Sequence, residues 1–108
     1  MTKTSLEEQF DNAMMNIYHR ALSEAKYKAH IYFEMLMRHK GLGTAKKLIN
    51  SPKVSSGYTA LWELGRLDLT VEALIIENPI WHDLFSKEEL NICHKRLCDY
   101  QYKPVINQ

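Results

Sequence analysis

The chain has 108 residues, 45% of them hydrophobic and 25% charged, and a formal net charge of +1. That size and balance fit one globular domain spanning 1–108 and lie away from the low-hydrophobicity, high-charge corner in which chains stay disordered. No run of about 18 apolar residues is present to span a bilayer, and the opening Met1-Thr2-Lys3-Thr4-Ser5-Leu6-Glu7-Glu8 lacks the apolar stretch of a secretory leader. The expectation is a cytoplasmic protein with no membrane contact.

Ser5 with Glu8 has the spacing of a capping box, and Leu6, Phe10, Ala13, Met14, Ile17 and Ala21 follow on one helical face, predicting a first helix that runs to the Lys26 region. From Ala29 to His39 the chain is apolar nearly all round, which predicts a second helix at the buried centre, stopped by a left-handed Gly41. A third helix carries Leu42, Ala45, Leu48 and Ile49 and ends at Asn50-Ser51-Pro52. A fourth opens near Ser56, carries Tyr58, Leu61 and Trp62, and stops at Gly65. A fifth is read as capped by Asp68 and closed by Asn78-Pro79, with Leu67, Val71, Leu74 and Ile75 on its apolar face. Ile80, Trp81, Leu84 and Phe85 suggest one more turn against the core. Ser86 with Glu89 repeats the capping box ahead of Leu90, Cys93, Leu97 and Tyr100. With no alternating pattern long enough for a strand, the fold class is all-α, a compact bundle of five to six short helices.

Catalytic and metal chemistry find little to stand on. The five histidines, at 19, 30, 39, 82 and 94, are scattered, and no serine sits in a glycine-flanked nucleophile elbow. Gly41-Leu42-Gly43-Thr44 follows a helix rather than a strand and lacks the spacing of a phosphate loop. His94 and Cys98 stand four apart on one helical face, half of a tetrahedral zinc set. His82 is a candidate third ligand, but no second closely spaced pair accompanies them. Cys93 and Cys98 are about 140° apart around a helix axis, which rules out a disulfide between them. Asp68 and Glu72 share a face and read as a cap and a solvated glutamate. No cofactor, metal or catalytic residue is therefore expected. A small enzyme built on Glu63, Arg66, Asp68 and Glu72 is the remaining catalytic alternative.

Charge is the less ordinary signal. Residues 1–19 carry a net −2 and residues 54–108 a net −3, whereas residues 20–53 carry +6. The eight cations of that segment are Arg20, Lys26, Lys28, Arg38, Lys40, Lys46, Lys47 and Lys53, a basic face suited to phosphate or to an acidic protein surface. A helix-turn-helix with Ser56–Leu64 as its reading helix is disfavoured. The preceding loop is about twice the usual three to four residues, and that helix has no Arg or Lys. Tyr58, Trp62 and Trp81 are the candidate anchors of a protein interface, because large aromatics dominate hot spots. Four of the methionines, at 14, 15, 35 and 37, add adaptable apolar surface.

The stretch from Gly41 to Tyr102 contains Thr44-Ala45-Lys46-Lys47-Leu48-Ile49, then Ser55-Ser56-Gly57-Tyr58-Thr59-Ala60-Leu61-Trp62-Glu63-Leu64-Gly65-Arg66-Leu67-Asp68-Leu69-Thr70-Val71-Glu72, then Leu84-Phe85-Ser86-Lys87-Glu88-Glu89-Leu90. It resembles a group of short standalone bacterial helical proteins, and the likeness extends to Tyr18-His19-Arg20-Ala21 and Tyr32-Phe33-Glu34-Met35-Leu36. Gly65 to Glu72 is its most specific piece. The resemblance implies a self-contained helical domain and assigns no activity and no site residue. The functional expectation is a non-catalytic protein-binding adaptor or regulatory module, with self-association as a homodimer included. The alternative is a nucleic-acid-associated protein that uses the basic segment.

Overall fold

The computed structural model describes residues 5–107. It contains five α-helices, α1 (Leu6–Ala25), α2 (His30–Ile49), α3 (Ser56–Glu63), α4 (Val71–Glu77) and α5 (Lys87–Asp99). Two 3-10 turns, Leu67–Leu69 and Pro79–Leu84, precede and follow α4. No strand occurs among the described residues, and no helix among them is long and apolar enough to cross a membrane. The fold is an all-α bundle around one main core, with a small second cluster of Ala21, Leu61 and Leu69.

The local signals work as their chemistry requires. Ser5 Oγ accepts the Glu8 N–H at 3.1 Å at the start of α1. At α5 the box is complete, with the Glu89 N–H on Ser86 Oγ and the Ser86 N–H on Glu89 Oε1. Lys26, at φ 56°, ends α1, and the Tyr27 N–H turns back to the Ala21 carbonyl at 3.0 Å. α1 buries Phe10, Met14, Ile17, Tyr18 and Ala21 against α2 and the chain that follows.

Three expectations need correcting. The residue that breaks α2 is Lys40 (φ 60°, ψ −172°), in a region otherwise occupied essentially by glycine, so α2 is two helices meeting at a kink. Gly41 has no positive φ; its role is close approach, since a Cβ there would lie 2.7 Å from Asp11 Oδ1 and 2.8 Å from Asp11 Cα. Asp11 Oδ1 accepts the Gly41 N–H at 2.7 Å, so the second half of α2 is capped from α1. At α4 the cap is Thr70, whose Oγ1 accepts the Ala73 N–H at 3.1 Å, while Asp68 lies in the 3-10 turn before it.

The third correction concerns the buried centre. In the first half of α2 only Leu36 is buried, and Ile31 and Met37 are 60% and 59% exposed. α4 occupies the centre instead, burying Val71, Glu72, Ala73, Ile75 and Ile76 of its seven residues. Each fully buried Val or Ile contributes about 1.5–3 kcal/mol relative to exposure. Phe10 fixes the far side of this core, edge-on to Trp81 at 5.3 Å and to Phe85 at 5.5 Å.

Candidate functional site

The segment Gly65 to Glu72 turns the chain from α3 into α4, and each charged side chain in it has a partner elsewhere. Gly65, at φ 72°, ends the helix turn. Arg66 then holds Asp68 through two bonds, at 2.9 and 3.0 Å, and reaches Glu24 on α1 at 2.7 Å. Glu24 also receives Arg20 at 2.9 Å. These two guanidiniums hold the Glu24 carboxyl down to about 2, and Arg66 pulls Asp68 below its usual range. The cluster clamps the end of α1 to the turn.

Glu72 is not a solvated glutamate. It is 4% exposed, and Arg96 of α5 donates Nη1–H to its Oε2 at 3.0 Å. Arg96 also donates to the Leu48 carbonyl at 3.1 Å and the Ser51 carbonyl at 2.6 Å, which supplies donors at the end of α2, where a helix leaves its last carbonyls unbonded. The Arg96 carbonyl in turn accepts the Tyr58 hydroxyl at 3.0 Å. One side chain thus joins α2, α4 and α5, and its backbone adds α3. Burial pushes the Glu72 carboxyl up, against the pull of its own amide and of Arg96. Burial, reinforced by the Glu72 charge, also raises the Tyr32 and Tyr58 hydroxyls and takes the Cys93 thiol up to about 12.

A partly open cavity of about 100 Å³ lies beside this pair, under the α1–α2 connection, with Ile17, Tyr32, Leu48, Tyr58, Val71 and Glu72 in its wall. Tyr32 donates to the Met14 carbonyl at 2.8 Å, so its hydroxyl is already bonded. Sequence reasoning did not find this site. Its signals were Glu72 inside the apolar run of α4, and Arg96 between Cys93 and Leu97 on the buried stripe of α5.

The eight cations of residues 20–53 are divided. Arg20 is engaged with Glu24, and Lys46 with Glu89 at 2.7 Å while its Nζ stands 5.1 Å over the Phe85 ring. Lys26, Lys28, Arg38, Lys40, Lys47 and Lys53 are exposed, and among the described residues none of them forms an ion pair. Of the three aromatic anchors, Tyr58 and Trp81 are 2% and 8% exposed and belong to the core, where their rings are unavailable to a partner. Trp62 alone reaches the surface, at 47%. Tyr58 and Leu61 define the buried side of α3, and Trp62 falls at its margin, edge-on to Tyr100 at 5.3 Å. Leu64, two residues further on, is 51% exposed. Tyr100 is itself edge-on to Tyr58 at 5.0 Å, so an aromatic ladder runs from core to surface.

Cys98 is exposed, as is His94, and among the described residues no group of three or more His, Cys, Asp or Glu side chains is placed to hold a metal ion. Compared with protein-family models, curated proteins and solved structures, the chain matches none of them.

Proposed function

We propose that the chain is a non-catalytic protein-binding module of the cytoplasm, whose contact surface is centred on Trp62. The observation that carries this reading is the exposed Trp62 near the end of α3, held against Tyr100, with Leu64 two residues further on also exposed. Tryptophan is the residue type most enriched at binding hot spots. A ring already braced by a neighbour that packs on the core loses little rotational freedom when a partner covers it. Self-association through this patch is one form the contact takes.

Catalysis is the weaker reading because the side chains that suggest it are not gathered at one site: Arg66 and Asp68 pair within the clamp, Glu72 pairs with Arg96, and Glu63 is exposed. The Cys93 thiol, pushed up to about 12, supplies negligible thiolate at neutral pH.

The test substitutes Trp62→Ala and follows sedimentation and photo-crosslinking from position 64 in the native cell. Loss of self-association or of the crosslinked partner, with unchanged circular dichroism, is expected. A variant that keeps every partner of the parent sinks the proposal. The second reading, nucleic-acid association, rests on the six exposed cations that form no ion pair among the described residues. It requires binding that collapses between about 50 and 200 mM salt and weakens in Lys47→Ala and Lys53→Ala. Binding that is indifferent to salt removes it.

A further inference from the structure

The cavity under the α1–α2 connection has a chemically uneven wall. Its buried hydroxyls are already committed, Tyr32 to the Met14 carbonyl, Tyr58 to the Arg96 carbonyl and Thr70 to the Leu67 carbonyl. Glu72 differs from them. Arg96 engages its Oε2, the Glu72 backbone amide bonds to the carboxylate as well, and among the described residues no other side chain bonds to it. A carboxylate presents two oxygens and about four lone-pair positions, so capacity for a further donor remains beside the apolar side of the wall formed by Ile17, Leu48 and Val71, with His30, Ser55 and Ser56 elsewhere in the lining.

These facts constrain an occupant. Arg96 already offsets the negative charge, so a ligand with net charge would lose hydration on entry without a counter-charge to replace it. An ionised carboxylate only accepts, so the ligand must bring the donor. Tyr32 and Tyr58 favour a ring that packs edge-to-face, and the volume of about 100 Å³ sets the scale at one small ring, with a fused second ring accommodated only at the open rim. A dry apolar cavity of about 150 Å³ in another protein binds benzene.

We propose that this cavity is a binding site for a small uncharged aromatic molecule carrying one N–H or O–H donor, which it places on Glu72 with its ring between Tyr32, Leu48, Tyr58 and Val71. The site is separate from the Trp62 surface, and either assignment stands without the other.

Indole is the probe, titrated at pH 8 into the full chain and followed by amide and side-chain NMR shifts. Saturable shifts gathered at Tyr32, Tyr58, Glu72 and Arg96 are expected. 3-Methylindole, which keeps the donor, binds comparably, whereas N-methylindole, of the same size without it, binds about tenfold or more weakly, the loss of one hydrogen bond to a charged group. Indole-3-carboxylate shows no saturable shift. Ala29→Trp at the rim fills the cavity and abolishes the indole response; if that variant does not fold, the comparison of 3-methylindole with N-methylindole on the unaltered protein decides. Equal binding of those two, binding of the carboxylate as tight as indole, or an indole response absent from these four residues overturns the proposal.

Discussion

Asp11 and Gly41 sit on different helices and share one hydrogen bond, Gly41 N–H to Asp11 Oδ1 at 2.7 Å, at a point where α1 and α2 approach too closely to admit a Cβ. Replacing Asp11 by Ala removes the cap of the second half of α2 and is expected to cost about 1–2 kcal/mol in urea unfolding. Gly41→Ala, which in an isolated helix would stabilise by roughly 1 kcal/mol, is expected to destabilise here, because the new Cβ meets backbone. A stabilised Gly41→Ala would show that the two helices are free to separate.

Lys40 carries the opposite expectation. Its φ of 60° with ψ of −172° suits glycine and strains any other residue, so Lys40→Gly should raise stability by about 1 kcal/mol in the same measurement. A loss would mean that the lysine stem contributes packing that outweighs the backbone strain.

Arg96→Met leaves Glu72 buried without its counter-charge and is expected to cost about 3–5 kcal/mol. Pairing it with Glu72→Met should recover much of that loss, because two well-packed apolar side chains replace a buried ion pair at little net cost. The readout is a double-mutant cycle by chemical denaturation, and simple additivity of the two single losses would contradict the structure.

Glu89 sets a pH dependence. Burial raises its carboxyl, but Lys46, the Ser86 amide and Asn50 together outweigh that and bring it from the ordinary 4.5 to about 2. A carboxyl depressed in the folded state stabilises fully above its unfolded value and progressively less as pH falls. This contribution should therefore be complete above about pH 5 and fade toward pH 2. Stability measured against pH for Glu89→Gln should be flatter than the parent across that window; superimposable curves would refute the assignment.

The two thiols should react differently. Cys98 is exposed and Cys93 buried, with its thiol at about 12, so a thiol-specific reagent at neutral pH should modify one group quickly and the second only on unfolding. Two equally fast groups would contradict the packing of α5.

What the sequence made legible was local. The Ser86–Glu89 box, the stop at Gly65 and the end of α4 at Asn78-Pro79 depend on residues within a turn of one another, and their chemistry is fixed by spacing. The kink at Lys40 was hidden because the bond that starts the next half-helix comes from Asp11, thirty positions earlier. Glu72 looked solvated because its counter-ion lies 24 positions away on another helix. The basic count of residues 20–53 was read without Asp68 and Glu89, which lie outside that segment and face Arg20 and Lys46. Among the aromatics, spacing alone placed Tyr58 and Trp62 on one side of α3. Only the packing of Leu61 separates the buried ring from the exposed one.

The break at Lys40 also sets an order of assembly. The first half of α2 is joined to α1 by Tyr32 and Met14, eighteen positions apart, while the second half is tied to α1 through Asp11, thirty positions away, and to α5 over 39 to 48 positions. Closing the shorter loop loses less chain entropy and is faster. The α1–α2 hairpin, held by Tyr32 and by the Asp11–Gly41 bond, is therefore the part expected to form early, and the end of α2 gains its ties to α5 afterwards.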